Sequence, residues 1–221
     1  TADIIVGGQG DDTLSGGDNS DTYLFTSGDG KDVIDENGAG DSDILQFTDY
    51  SSTDATFSRL TSNSADLVIS FANGDQVIVY NTLNDDFGDR IETYVFNGDG
   101  VTFAQDDIRQ IIVDQNSSAG DDLIIGFRGV DVIDGGAGND EIRSGNGNDT
   151  VTGGTGDDTL AGGRGDDTLE GGDDADTFII EDNFDDDFII GGEGGSDDDT
   201  IDLSALTGAS TIIYTGDEAG T

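Results

Sequence analysis

The sequence predicts an all-β fold, a solenoid of short parallel strands in two arrays that are separated by a small β-rich module. Nonapeptides of the pattern G-G-x-G-x-D-x-U-x, in which U is a large apolar residue, run without a gap over 117–179 and recur over 7–35. The chain also contains 36 glycines and no proline, which sets it apart from ordinary Pro/Gly-rich disordered segments. A nine-residue period of this kind is typical of a parallel β-helix.

The seven nonapeptides of 117–179 share two fixed positions. A strand alternates its side chains between two faces, so a three-residue x-U-x strand directs one apolar side chain inward, and the six residues before it reverse the chain. Glycines suit such turns, and Asn19 and Asp174 replace the position-four glycine with residue types that tolerate a positive φ. Position six is always Asp and position eight always apolar (Ile124, Ile133, Ile142, Val151, Leu160, Leu169 and Phe178).

The position-six carboxylates and the turn carbonyls predict calcium sites, because calcium takes six to eight oxygen ligands. Two nonapeptides make one coil, so turns on the same side of the solenoid are two nonapeptides apart. An ion between such turns would be shared by Asp122 and Asp140, or by Asp131 and Asp149. Seven nonapeptides offer about five such pairings, and we expect about five calcium ions in this array.

These nonapeptides resemble the haemolysin-type calcium-binding repeats of RTX (repeats-in-toxin) proteins. The resemblance implies a right-handed parallel β-roll, stapled by calcium, in which the position-six Asp and the turn carbonyls bind the ion. Departures from the pattern are Ser117 and Ser118, Phe127, Ser144 and Asp174. With Asp199, which falls in register after an insertion, the candidate ligands of this array are Asp122, Asp131, Asp140, Asp149, Asp158, Asp167, Asp176 and Asp199.

A second, shorter array occupies the N-terminal part. It begins inside a repeat and continues through the nonapeptides at 7–15, 16–24 and 27–35 to a looser copy over 37–46. We expect about two or three calcium ions here. The candidate ligands are Asp3, Asp12, Asp21, Asp32 and Asp43.

The segment between the arrays carries no nonapeptides. Alternating apolar residues around Asn73-Gly74 predict a hairpin over 66–80, and 91–103 repeats that design. Residues 104–112 predict a short helix. The segment resembles a β-rich domain that accompanies haemolysin-type repeats. Its aromatic residues either fill the core of the module, which is favoured, or form a sugar-stacking platform (Tyr80, Tyr94, Phe96 and Phe103).

We therefore predict four regions: a short β-roll over 1–46, a β-rich insert over 47–116, the main β-roll over 117–203 and a tail over 204–221. The tail sequence 207–221 predicts a strand and a turn. Because Thr1 falls inside a repeat, we expect the chain to be part of a longer protein whose tail is truncated.

Composition excludes several functions. A net charge of −43, from 50 acidic and 7 basic residues, disfavours nucleic acid and acidic membranes as partners. The absence of Cys and His removes disulfides, imidazole catalysis and His-ligated zinc. Neither H-E-x-x-H nor G-x-S-x-G occurs, and the repeats already account for nearly every Asp, so we expect no enzyme within these residues.

Three hypotheses follow. The favoured one is a calcium-binding module of a secreted bacterial protein, which is disordered without calcium and folds outside the cell. The resemblance adds export through a type I secretion machinery. The second is a calcium-dependent adhesive module with a glycan or cell-surface ligand. The third is the C-terminal part of a secreted protease, lipase or epimerase whose catalytic domain lies upstream.

Overall fold

The computed structural model describes residues 1–36, 42–61, 65–83, 91–181, 185–192 and 198–207. Within these ranges the chain forms nineteen strands, a short 3-10 helix at Ser52–Asp54 and one α-helix, α1, at Gln105–Asn116. The strands are β1 (Ile4–Val6), β2 (Thr13–Leu14), β3 (Thr22–Phe25), β4 (Lys31–Ile34), β5 (Asp43–Phe47), β6 (Ala55–Arg59), β7 (Leu67–Phe71), β8 (Gln76–Val79), β9 (Ile91–Phe96), β10 (Val101–Ala104), β11 (Leu123–Ile125), β12 (Val132–Ala137), β13 (Glu141–Asn146), β14 (Thr150–Thr155), β15 (Thr159–Arg164), β16 (Thr168–Asp173), β17 (Thr177–Ile179), β18 (Phe188–Ile190) and β19 (Thr200–Asp202).

The main array consists of two parallel sheets. Their strand orders are β11-β13-β15-β17-β19 and β12-β14-β16-β18, so consecutive strands alternate between the sheets. Ile124 pairs with Ile142, and Val151 pairs with Leu169, eighteen residues further along in both cases. The predicted β-roll, with one coil for every two nonapeptides, is confirmed.

The strands in the middle of this array are longer than predicted. β12 to β16 have six residues each and run from position seven through the glycine pair to position three of the next nonapeptide. Gly136 has a φ of 99° and still pairs in register with Gly154. The positive φ bends the backbone without breaking the ladder, so the expectation of three-residue strands was wrong and the unpaired turn shrinks to positions four to six.

The two turns that lack a position-four glycine keep the same backbone conformation. Asn19 has a φ of 83° and Asp174 a φ of 80°. Both side chains are short and polar, and such residues tolerate the left-handed region best. The sequence-based explanation of these substitutions is confirmed.

Strands of the insert extend both sheets of the N-terminal array. β5 pairs in parallel with β9, and β4 pairs in parallel with β8. The sheets then continue into the two predicted hairpins, β7–β8 and β9–β10, which are antiparallel, and β6 adds a further antiparallel strand beside β7. The N-terminal array and the insert therefore share continuous sheets, with the strand orders β1-β3-β5-β9-β10 and β2-β4-β8-β7-β6.

Helix α1 leads from the insert into the main array. It begins at Gln105, one residue after the predicted start of the 104–112 segment, and extends beyond the predicted end to Asn116. Its first turn is capped by the Asp107 carboxylate, which accepts a hydrogen bond of 2.8 Å from the Ala104 N–H. Ile108 and Ile112 are buried, and α1 contacts β6, β9, β11 and β12. The helix thus covers the first coil of the main array.

One hydrophobic core runs through the chain. All seven position-eight side chains of the main array are at most 1% exposed, as predicted. Tyr94 and Phe96 are completely buried, so they belong to the core and cannot stack on a sugar. The proposed regional boundaries stay predictions, and residues 208–221 of the tail lie outside the described part of the chain.

Candidate metal centres

The position-six Asp residues form four ladders, each on one side of a roll. In every rung, the backbone N–H of one Asp donates to the Oδ1 atom of the Asp in the next coil, over 2.7 to 3.1 Å. Each carboxylate is therefore held in one orientation by the backbone of the preceding coil. The ladders are Asp3-Asp21-Asp43, Asp12-Asp32, Asp122-Asp140-Asp158-Asp176-Asp199 and Asp131-Asp149-Asp167-Asp187.

The second oxygen of the inner carboxylates has no hydrogen-bond partner. This holds for the buried Oδ2 atoms of five residues that are each at most 2% exposed. A buried carboxylate oxygen without a donor is costly, and buried charges in proteins are paired with a counter-charge or coordinate a metal. The five residues are Asp21, Asp140, Asp149, Asp158 and Asp167.

Burial also disfavours the charged form of these carboxylates. It raises the pKa of Asp149, Asp158 and Asp167 to about 6, although a backbone hydrogen bond to each opposes the rise. The neighbouring carboxylate on the ladder raises the pKa further in each case. The pKa values of Asp32 and Asp140 are raised for the same reasons, and that of Asp43 rises to about 6. A cation at the ladder would remove this penalty.

The glycine at position one leaves room for the carboxylate and for a carbonyl of the next coil. A Cβ atom added to Gly135 would lie 2.6 Å from Asp140 Oδ2 and 2.5 Å from the Gly153 carbonyl oxygen. Carboxylate and carbonyl oxygens therefore converge on one small cradle that no side chain fills. Hard oxygen ligands of this kind, with unpaired buried atoms among them, fit calcium.

Comparison with known proteins supports the same chemistry. A family described as RTX calcium-binding nonapeptide repeat (4 copies) matches residues 1–34, 116–142 and 143–178. These segments are RTX calcium-binding repeats. A search of curated protein sequences finds no significant match.

Among solved structures, the chain is similar to extracellular lipase LipA from Serratia marcescens, with 21% identity and a TM-score of 0.22. The alignment covers 89% of this chain and 34% of the lipase, so the chain spans about a third of that protein.

Four of the predicted ligands at the ends of the RTX ladders are accessible to water. Asp3 and Asp199 are exposed, and Asp12 and Asp122 are partly exposed. All other predicted ligands are buried: Asp21, Asp32, Asp43, Asp131, Asp140, Asp149, Asp158, Asp167 and Asp176. The predicted site residues therefore lie together in the ladders. All the inner members are buried, and so are three ladder ends, Asp32, Asp43 and Asp131.

Two ladder members were missing from the predicted ligands. Asp187 accepts the Asp167 N–H at 3.0 Å, and Glu92 accepts the Asp43 N–H at 2.6 Å. The near-register position of Asp187 and Ile189 was a usable signal, because β18 pairs with β16 in parallel. Glu92 gave no signal, since it lies in a strand of the insert and outside any nonapeptide.

Arg59 lies at the first turn of one ladder of the main array. In later coils the position-one carbonyl points toward the preceding turn on the same side, as the Gly153 carbonyl does toward Gly135. No RTX turn precedes Gly126 on its side, and there the Arg59 Nη2 atom donates to the Ile125 and Gly126 carbonyls over 2.8 and 2.6 Å. The guanidinium also lies 3.9 Å from the centre of the Phe127 ring. A side-chain cation thus covers the end of this stack.

Replacing Arg59 by Met is expected to lower the free energy of unfolding of the calcium-loaded chain by about 2–4 kcal/mol. The Ile125 and Gly126 carbonyls would lose their charged donor, and Phe127 would lose its cation contact. Urea unfolding at saturating calcium measures the effect. Arg143→Met is the matched control, because Arg143 is about half exposed in its contact with Glu141 and is expected to contribute less than about 1 kcal/mol. Equal effects of both variants would contradict this role of Arg59.

The raised pKa values predict opposite effects of pH with and without calcium. In the calcium-free chain the folded form holds protons on Asp149, Asp158 and Asp167 more tightly than the unfolded form does. The stabilisation from protonation is therefore complete below about pH 4 and is lost as the pH rises through about 6.

A chain depleted of calcium on a chelating resin should thus show more β-structure at about pH 5 than at about pH 7. The calcium midpoint should be higher at about pH 5, because protons compete for the same oxygens. Circular dichroism at the two pH values tests both expected changes, in β-structure and in calcium midpoint. A calcium midpoint that does not change with pH would contradict the assignment of these carboxylates as ligands.

Proposed function

We propose that this chain is a calcium-dependent folding module of a secreted bacterial protein, non-catalytic in itself. The observation that carries the proposal is the set of stacked, buried carboxylates whose Oδ2 atoms lack a donor. They are held in place by the same backbone hydrogen bonds that build the roll, so metal binding and folding depend on one another.

Charge explains why the calcium-free roll should be unstable. The chain has 50 acidic and 7 basic residues, and the ladders bring the acids close together inside the fold. An extended chain keeps the same carboxylates apart and hydrated. Without a counter-charge, the apolar core of one position-eight side chain per nonapeptide has to offset both the repulsion and the entropy of ordering a glycine-rich chain.

The residues that would hold calcium are the position-six Asp residues of successive coils together with the turn carbonyls beside them. Calcium supplies positive charge and a demand for many oxygen ligands, and the chain supplies oxygens that it has already oriented. In the main array this gives about five sites, and in the N-terminal array two or three. Asp187 adds one candidate to the main array, and Glu92, from the insert, adds one beside Asp43 at the end of an N-terminal ladder.

The setting that suits such a module is outside the cell. Extracellular calcium-binding modules typically have dissociation constants of about 10⁻⁴–10⁻³ M, so the chain would remain extended where calcium is scarce and fold where it is plentiful. Export through a type I secretion machinery, followed by folding on the far side, is consistent with this switch. Within the described residues, no helix is long and apolar enough to cross a membrane.

Equilibrium dialysis against calcium, followed by metal analysis of the retained protein, tests the proposal. We expect about seven or eight ions per chain at millimolar calcium, and far fewer at the same concentration of magnesium. Magnesium is smaller and demands a near-octahedral set of ligands, which a carbonyl-rich turn does not offer. Retention of fewer than about two calcium ions would contradict the proposed function.

A further inference from the structure

We call the space between two successive carboxylates of a ladder a level. One level of the N-terminal array contains three buried carboxylates. Ligand oxygens of Asp21, Glu36 and Asp43 all lie within 4.8 Å of one another. The three residues are 1%, 2% and 3% exposed, respectively. Asp21 and Asp43 are successive members of a ladder, whereas Glu36 belongs to no nonapeptide position that carries an acid elsewhere.

Glu36 lies between the nonapeptide 27–35 and the looser copy over 37–46, two residues after Ile34, which pairs with Leu14. Its carboxylate is held under the turn at 16–21. The Oε1 atom accepts the Gly17 N–H at 2.9 Å, and the Oε2 atom accepts the Gly16 N–H at 3.2 Å and the hydroxyl of Tyr23. Backbone and side-chain donors thus orient this acid toward the ladder rather than toward water.

An independent feature points to a ligand. The Oδ2 atom of Asp21 is buried and has no hydrogen-bond partner. It lies beside the Cα of Gly16, where an added Cβ would overlap it, and the N–H of that same glycine donates to Glu36. The unpartnered oxygen therefore faces the space next to the Glu36 carboxylate.

We propose that Asp21, Glu36 and Asp43 form a three-carboxylate cation site that binds calcium, or a trivalent lanthanide in its place, more tightly than the other levels of the rolls and is filled first. The inference rests on the proposed function in that it assumes calcium binding by the arrays. A level in the middle of the main array, such as Asp140 with Asp158, offers two ladder carboxylates. Affinity in calcium sites rises with the number of charged ligands, and that number is greater here.

Tyr23 makes the site observable. Terbium(III) replaces calcium in oxygen sites and luminesces when a nearby tyrosine absorbs the exciting light. The hydroxyl of Tyr23 contacts Glu36, and the five tyrosines of the chain include none between residues 117 and 203. Because Tyr50, Tyr80, Tyr94 and Tyr214 can also sensitise bound terbium, the Tyr23→Phe variant identifies the emission that comes from this site.

The experiment is a terbium titration of the full calcium-depleted chain. The first phase should saturate at about one ion per chain, and Glu36→Gln should weaken it by about tenfold or more. Glu141→Gln, which removes the same charge from a half-exposed side chain of the main array, should leave that phase unchanged. Tyr23→Phe should remove most of the emission of the first phase, while the same ion is still retained in equilibrium dialysis.

Asp43→Asn should weaken the first phase as Glu36→Gln does, which gives a second variant in case Glu36→Gln fails to fold at saturating calcium. A first phase unaffected by both variants would overturn the three-carboxylate site. If the chain still retains several calcium ions in that case, the proposed function stands without this inference. Retention of no ions by the unmodified chain would overturn both.

Discussion

Asp158→Asn is expected to stabilise the roll when calcium is absent and to weaken it when calcium is present. The Asn Oδ1 atom can still accept the hydrogen bond of 2.8 Å that the Asp140 N–H donates to Asp158. The backbone N–H of residue 158 can likewise still donate to Asp176 in the next rung. What the substitution removes is the negative charge on a side chain that is 1% exposed and whose Oδ2 atom has no donor. In the calcium-free chain that charge costs on the order of 1–3 kcal/mol.

With calcium, the same substitution removes a charged ligand from two levels, because Asp158 is shared between the pairs with Asp140 and with Asp176. We expect the calcium midpoint of folding to rise by about tenfold. Folding of the calcium-free chain can be driven by trimethylamine N-oxide, which strengthens burial, and Asp158→Asn should need less of it.

Glu170→Gln is the control for Asp158→Asn, since Glu170 is an exposed acid of β16 in the same roll. It removes one negative charge without touching a ladder, so both midpoints should change little. A calcium midpoint of Asp158→Asn equal to that of Glu170→Gln would show that the ladder carboxylates act only through net charge, and would contradict their role as ligands.

Gly163→Ala is expected to lower the free energy of unfolding at saturating calcium by about 2–5 kcal/mol. Gly163 has a φ of 97°, which disfavours any residue with a Cβ atom. The added Cβ would also overlap the carbonyl oxygen of Gly145, in the preceding coil. That carbonyl belongs to β13, which pairs directly with β15, so it cannot move away without separating these two strands.

Gly8→Ala separates the two causes. Gly8 is also a position-two glycine, with a φ of 83°, but nothing lies within 4 Å of the place its Cβ would take. Gly8→Ala should therefore lower the free energy of unfolding only through the unfavourable positive φ, by about 1–2 kcal/mol. Thermal unfolding of both variants in calcium provides the comparison, and equal losses would mean that the close stacking of coils contributes nothing.

The repeat explains why so much of the fold is predictable from the sequence. An apolar residue every nine positions can be buried only if the coils stack, and that requirement alone places Ile124 in register with Ile142. The hairpin around Gly74 is equally local, since its turn residues and alternating flanks lie within about fifteen residues. Patterns that are local or periodic are thus sufficient for these elements.

The missed features depend on contacts between distant segments. Arg59 meets the Gly126 carbonyl across 67 residues, and Glu92 meets Asp43 across 49. Neither residue lies in a nonapeptide, so periodicity carries no information about it. Glu36 was overlooked for a related reason: it lies between two repeats, and only the close approach of the 16–21 turn shows that its carboxylate faces inward. The six-residue strands depend on the actual φ values of the glycines, which the repeat pattern does not specify.

Far-UV circular dichroism of the chain during a calcium titration tests the central claim, that calcium binding and folding are coupled, most directly. The starting protein is depleted of calcium on a chelating resin, and sodium chloride is held at a fixed concentration so that screening of the 50 acids stays constant. We predict the spectrum of an unordered chain at the start and a cooperative change to a β-rich spectrum as calcium is added. A spectrum that is already β-rich in the depleted chain, and that calcium leaves unchanged, would contradict this coupling.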